Sequence, residues 1–410
     1  MFEAAPDSTS DLPVHPVRRS SGCPFSPPQA VRDLAAAAPV SKVQIWDGQE
    51  AWLVTDYTEA RTLFGDARVS VDGALPGFPH LNEGMKALAA MAPRTMFNTD
   101  GEEHARYRRM LTKPFMIKRL DALKPVIQKY IDEHIDLMFD GGNSADLVQA
   151  LALPVPSLAI CELLGVPYED HAFFQRGSAV GFSGDTSAEE HQEVTIGLLQ
   201  YLMKLLDAKA EAPAEDMLSD MAELIRAGEL QPWEGALEAV GMLVAGHETT
   251  ANMIPLSVMA LLERPDQLAL IRDTEDPKVL GNAVDELIRY MSIVQTGQRR
   301  IALEDIEIGD LTVRAGEGLI LDIPSANWDP GTFENPEELN LERPNAYLHL
   351  GFGFGRHQCI GLQLARLELG LVLQTLFRRL PGLRLGVPAE QIEFKLDSLV
   401  HGVRALPVEW

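Results

Sequence analysis

Along most of the chain, apolar positions recur at the three- and four-residue spacing of an amphipathic helix; only in short pieces do they alternate as a strand does. Helices are predicted over 29–37, 58–64, 104–111, 117–139, 147–164, 192–209, 214–227, 233–262, 277–290 and 361–379. Residues 43–46 and 51–54 alternate around the turn Asp47-Gly48, the pattern of a β-hairpin. Further strand-like pieces fall at 298–301, 311–313 and 318–322. Residues 1–38 read as a mobile N-terminal arm with a first short helix. No internal repeat and no linker divides the remainder of the chain. The expected class is mainly α with a small β region, a single large helix-rich domain over 39–410.

Composition narrows the class. With 410 residues and 46% hydrophobic content, the chain can bury a large core. It contains no run of about 18 uncharged apolar residues, and its first 21 residues are polar and contain Pro, so neither a membrane anchor nor a signal peptide is expected. The three cysteines, Cys23, Cys161 and Cys359, are too few and too scattered for a disulfide framework, which fits a reducing cytoplasm. A formal net charge of −25 argues against nucleic acid or an anionic membrane as partner.

The most informative stretch is Phe352-Gly353-Phe354-Gly355-Arg356-His357-Gln358-Cys359-Ile360-Gly361. Closely spaced glycines let a backbone approach a flat macrocycle while its N–H groups face a thiolate sulfur. A Gly-rich turn holding an incidental buried cysteine is the plain alternative. From residue frequencies alone the pattern arises with a probability on the order of 10⁻⁷ per starting position.

This run resembles the cysteine-ligand loop of the cytochrome P-450 superfamily, the haem-thiolate monooxygenases. From about residue 39 to the C-terminus, the order and spacing of four further segments resemble its soluble actinobacterial members. The resemblance implies the P-450 fold, with haem b (iron protoporphyrin IX) between the long central helix and the Cys loop. Cys359 would then be the iron ligand, with Phe352 and Gly361 beside it.

Ala245-Gly246-His247-Glu248-Thr249-Thr250, inside the predicted long helix, forms the second segment. Gly246 in a helix interior costs about 1 kcal/mol relative to Ala, so close approach of a flat group to the backbone is the expected compensation. The plain alternative for Thr249 is a bond back to its i−4 carbonyl that merely bends the helix. The run resembles the family's oxygen-activating motif, which implies that Ala245 and Gly246 contact the haem and that Glu248 and Thr249 deliver protons. His247-Glu248 also begins a zinc-type H-E-x-x-H helix, but residue 251 is Ala and that reading fails.

Glu286 and Arg289, at i and i+3, would by themselves be an ordinary surface pair of little value. They resemble the family's E-x-x-R, which implies a buried structural group joined by Arg343; Trp328 stands where that pattern has arginine. The resemblance also places His104, Arg108, Arg300 and His357 on the haem propionates, with Arg299 as a substitute for its neighbour. For each alone, an exposed solvated charge is the simpler reading.

The activity implied is insertion of one oxygen atom of O2 into a hydrophobic small molecule, by hydroxylation or epoxidation. No G-x-G-x-x-G at a strand-to-helix junction signals a nicotinamide or flavin domain, so an external electron donor is expected, and the resemblance implies a ferredoxin or flavodoxin with its reductase. Arg106, Arg109, Lys113 and Arg356 are candidate docking cations. Family positions that contact substrate hold Leu75, Phe78, Leu88, Val180, Phe182, Val244, Ala245, Ile293, Val294 and Val400. This apolar set suits a polyketide-like, terpenoid or steroid-like molecule or a xenobiotic, bound to a cytoplasmic monomer. Three rivals remain, a nitric-oxide-reductase-like haem-thiolate enzyme, a peroxide-driven hydroxylase and a non-catalytic haem-binding partner protein. Retention of Glu248 weighs against the first, and that of Glu248 and Thr249 against the other two.

Overall fold

The computed structural model describes residues 12–20, 22, 24–170, 173, 174, 177 and 188–410. The chain groups into two compact units, one of Met1–Arg106, Ile288–Leu339 and Pro344–Cys359, the other of Tyr107–Leu287, Asn340–Arg343 and Ile360–Trp410.

The first unit is organised by a five-stranded sheet. Its order is Val40–Gln44, Glu50–Val54, Gly318–Leu321, Gln298–Ala302, Val69–Ser70. The hairpin read from the sequence is present, with Val43 opposite Ala51 and Gln44 opposite Glu50. Its turn uses Gly48 at φ +82°, a left-handed conformation open to glycine at little cost. The second and third strands run parallel, the rest antiparallel. One face packs against the helix Tyr57–Gly65, which starts where Asp56 accepts a bond from Glu59 N–H at 2.9 Å. Ala60, Leu63, Leu319, Leu321 and Phe333 fill that core, each at most 2% exposed.

The expected mobile arm needs correction. Val14 bridges Gln44, and Arg19 donates to the carbonyls of Phe25, Met291 and Ser292 at 3.1, 3.0 and 2.7 Å. Those bonds offset the cost of burying a guanidinium that is 3% exposed. Residues 12–20 are therefore pinned to the sheet; residues 1–11 lie outside the described set.

The second unit is helical, and its centre is Pro232–Leu262. That helix opens with Pro at its first position and a reciprocal cap between Gln231 and Glu234. From Met253 to Leu261 it is buried all round, with Ser257 its one polar side chain and Ile254, Leu256, Val258 and Leu261 each 0% exposed. Around it stand Ile117–Asp140, Pro154–Leu164, Ala188–Glu211, Met217–Arg226 and Leu362–Arg379.

Most predicted helices agree with the structure to within a few residues. The helix expected over 147–164 is instead a π-helical turn, Val148–Ala152, followed by Pro154–Leu164, because Pro154 has no N–H to continue the ladder. The pattern also missed Glu83–Met91, Pro265–Asp273 and Ile323–Asn327, and strands of two or three residues such as Ser144–Asp146 and Pro407–Glu409.

Candidate active site

In the first unit the cysteine loop is a compact turn. Gly353 and Gly355 have φ of +66° and +74°. A Cβ on Gly355 would lie 2.8 Å from the Phe64 carbonyl oxygen, so a side chain there forces the loop off the helix Tyr57–Gly65. Gly353 N–H donates to Leu350 O at 2.8 Å and Cys359 N–H to Phe352 O at 2.9 Å, which closes the loop. Phe352 lies beside the His349 ring, 5.4 Å between centroids. Cys359 is exposed. Cys161, by contrast, is 2% exposed, and burial reinforced by Glu162 and Asp170 pushes its thiol up to about 12. Of the described cysteines, then, only Cys359 is exposed; Cys23 lies outside the described residues.

His357 is held by a residue that no motif points to. Its Nε2 sits 2.9 Å from Asp100 Oδ1, and its ring lies 4.1 Å from that of His104. Asp100 Oδ2 also accepts from Ser70 Oγ at 2.6 Å and Val71 N–H at 3.1 Å. Burial alone would raise this carboxyl, but the bonds from His357, Ser70 and Val71 outweigh it and bring it to about 2. From sequence, an Asp just before the helix Gly101–Thr112 reads as a cap, which hides its longer-range use.

Arg300 is 7% exposed and donates only to neutral oxygens, Arg299 O at 2.7 Å and Gln298 Oε1 at 3.4 Å, with its guanidinium 5.5 Å above Phe64. No carboxylate among the described residues lies within ion-pair distance of it. Burial draws its pKa down to about 10 against the charge of Asp100. A buried cation so placed suits an anionic group. Arg299 turns to Thr296 Oγ1 and Gly297 O at 3.2 and 3.5 Å.

Leu75, Phe78, Ile293 and Val294 are half-buried, and Val294 packs on the sheet core. Leu88, on Glu83–Met91, is 65% exposed. The two cations between residues 71 and 100 are already paired, Lys86 with Asp47 at 3.2 Å and Arg94 with Asp72 and Glu103 at 2.5 and 3.0 Å. Trp328, placed where the family pattern has arginine, stacks on Tyr290 at 5.4 Å and donates to Tyr290 O at 3.2 Å. Arg289, 0% exposed, donates to the carbonyls of Asn327, Pro336 and Glu338.

In the second unit Val244 to Thr249 lie on Pro232–Leu262. Thr249 Oγ1 donates to Ala245 O at 2.8 Å, the i−4 back-bond anticipated as an alternative. A Cβ on Gly246 would meet Ile160 Cδ1 at 3.0 Å, so a side chain of Pro154–Leu164 lies close to it there. Glu248, 6% exposed, accepts from Asn252 Nδ2 at 2.8 Å and from Lys395 Nζ at 3.1 Å. Asn252 was legible as an i+4 neighbour. Lys395, distant in sequence, was not.

Arg343 Nε lies 3.0 Å from both carboxylate oxygens of Glu286, and Asn340 N–H caps one of them at 3.0 Å. Glu286 and Arg343 thus form a buried ion pair, the arrangement that the E-x-x-R pattern implies. Arg108 is half-buried on Gly101–Thr112, and Gly361 forms the N-cap of Leu362–Arg379. Val400 is 4% exposed. Lys113, offered as a docking cation, is paired with Asp220 at 2.5 Å. Val180 and Phe182 lie outside the described residues.

Known proteins share this architecture. The family model for cytochrome P450 matches residues 185–396. Cytochrome P450 CYP105Q4 of Mycobacterium marinum is 53% identical over 99% of this chain and 98% of its own. The crystal structure of GfsF, a cytochrome P450 of Streptomyces halstedii, superposes with TM-score 0.92 at 47% identity, covering 97% of this chain and 100% of that one. That of mycinamicin VIII C21 methyl hydroxylase from Micromonospora griseorubida, bound to mycinamicin VIII, gives TM-score 0.89 at 38% identity, covering 97% and 100%. A glycine-built loop presenting one accessible cysteine, continued through full-length likeness to these proteins, places this chain in the cytochrome P450 family as a haem-thiolate monooxygenase.

Proposed function

We propose that residues 39–410 serve as one monooxygenase domain holding haem b, with Cys359 as the thiolate ligand and His104, Arg108, Arg300 and His357 as partners of its carboxylates. The exposed thiol at the end of a loop shaped by Gly353 and Gly355 carries this reading. Arg300, buried among neutral oxygens, fits the anionic side of such a group, and Asp100 fixes the His357 ring in place. Phe352, Ala245, Gly246 and Gly361 would line the ring, with Ile160 close beside Gly246. When bound, a thiolate-ligated haem supplies the oxygen activation, since electron donation from sulfur favours O–O cleavage.

The protein's own part is proton control and orientation. Glu248 takes protons from the solvent side, and Thr249 holds one at Oγ1 when that hydroxyl leaves the Ala245 carbonyl. Val244, Val400, Phe78, Ile293 and Val294 exclude water and orient an apolar substrate; Leu75, Leu88, Val180 and Phe182 complete the proposed set. The substrate class is a hydrophobic secondary metabolite or xenobiotic of macrolide, terpenoid or steroid size, a reading supported by the mycinamicin-bound relative. Reduction comes from a ferredoxin or flavodoxin with its reductase. Lys86 and Arg94, the cations a nicotinamide phosphate would need, are neutralised by Asp47, Asp72 and Glu103. The enzyme works as a cytoplasmic monomer. A difference-spectrum titration over a panel of such compounds, followed by product analysis with ferredoxin, reductase, NADPH and O2, tests this. A spin-state shift followed by an oxygenated product is expected; nitric-oxide-dependent NADH consumption without redox partner, and no oxygenated product, overturns it.

A further inference from the structure

Lys395 is remote in sequence from the proton-relay residues, yet its ammonium lies 3.1 Å from Glu248 Oε1. The two side chains are 23% and 7% exposed, so the pair is largely withdrawn from water and its charge is weakly screened. Lys395 sits on a narrow hairpin. Phe394 bridges Val403, Lys395 N–H donates to Gly402 O at 2.8 Å, and Arg404 N–H donates to Glu393 O at 2.9 Å. Val400, assigned above to the substrate, is on the same hairpin, its N–H 3.3 Å from Ser398 Oγ.

The hairpin also presses on the third member of the group. A Cβ at Gly402 would fall 1.8 Å from Asn252 Oδ1, an impossible approach for any side chain. Asn252 in turn donates from Nδ2 to Glu248 O at 2.7 Å and to Glu248 Oε1 at 2.8 Å. Two hairpin residues, Lys395 and Gly402, therefore fix the carboxylate, one by charge and one by seating Asn252. In this arrangement Glu248 is committed to Lys395 and Asn252 while the Thr249 hydroxyl is committed to Ala245 O. A proton passes between them only when those contacts loosen.

We propose that Lys395 is a positioning residue that fixes the direction of the Glu248 carboxylate, and that the hairpin joining it to Val400 couples substrate occupancy to proton delivery. The proposal rests on the reading of Glu248 and Thr249 as the proton relay. No bond to carbon is made or broken by it; the Glu248 carboxylate takes one proton from solvent and passes it to Thr249 Oγ1 as that hydroxyl gives up its own, so both groups end as they began.

Lys395→Met, Lys395→Arg and Glu248→Gln test it in the haem-loaded enzyme with a ferredoxin system and a substrate found by difference spectra. In Lys395→Met, product formed per reduced nicotinamide should fall roughly tenfold, less than the full contribution of a general acid because Glu248 remains, and the solvent isotope effect should rise. Lys395→Arg should restore both. Infrared difference spectra, taken with and without haem, should show the Glu248 carboxylate stretch, assigned by its loss in Glu248→Gln, displaced in Lys395→Met and back near the parent position in Lys395→Arg. Parent-like coupling in Lys395→Met, or a loss of coupling that Arg does not restore and that brings no such displacement, overturns the proposal. Failure of the relay reading itself would look different: Glu248→Gln would then couple as well as the parent.

Discussion

Replacing Glu286 by Gln removes one charge from a pair that is almost wholly dry, with side-chain exposure of 0% for Glu286 and 5% for Arg343. Arg343 Nε reaches both carboxylate oxygens at 3.0 Å, and Asn340 N–H reaches Oε1 at 3.0 Å. Gln keeps one acceptor of similar shape, so packing is preserved while the guanidinium loses its counter-charge. Stranding a buried ion this way costs about 3 to 5 kcal/mol, a factor of roughly a hundred to a few thousand in the folded-to-unfolded ratio. Arg343→Met strands Glu286 and should cost a similar amount. The double replacement strands neither member of this pair, so it should be less destabilising than the sum of the singles by about 2 kcal/mol or more. Urea unfolding followed by tryptophan fluorescence on the four proteins closes the cycle. Singles costing under about 1 kcal/mol, or effects that simply add, would refute a buried pair holding this segment.

Thr249→Ala should leave stability within about 1 kcal/mol of the parent, because Ala245 O loses only an accessory bond. Product per reduced nicotinamide should fall while nicotinamide consumption persists as hydrogen peroxide. Unchanged coupling would contradict the relay. Asp100→Asn should cost up to about 2 kcal/mol at pH 6, the linkage value of a carboxyl lowered to about 2. A depressed carboxyl stabilises above its unfolded value, so the gap between parent and variant should be constant from pH 7 to about 5 and close as pH falls from about 4 toward 2. Urea midpoints across that range check it, and a gap that widens with acid would refute it.

Much of this architecture was written locally. The hairpin 43–54 declared itself by alternation around Asp47-Gly48, and the long helix by the length of its periodic run. Short strands such as Val69–Ser70 carry no period to read, and their place comes from pairing with Ala302 and Ile301. The site was legible where chemistry sits in a contiguous run, as from Phe352 to Gly361. It was hidden where one side chain meets another across the chain. Asp100 meets His357 and Lys395 meets Glu248 at separations of 257 and 147 residues, which no periodicity encodes. Arg19 misled in the same way, since a polar N-terminal segment reads as an arm until its carbonyl partners at 291 and 292 are seen.

The central claim is that Cys359 is the haem ligand, and the carbon-monoxide difference spectrum of the reduced protein tests it most directly. Sulfur donation to iron alters the electronic transitions of the haem, so the parent should show the strongly red-shifted Soret band of a thiolate complex, as should Cys23→Ala and Cys161→Ala. Cys359→Ala should lose that band together with oxygenase activity. A Cys359→Ala protein that keeps both, alongside a Cys23→Ala or Cys161→Ala protein that loses them, would contradict the account.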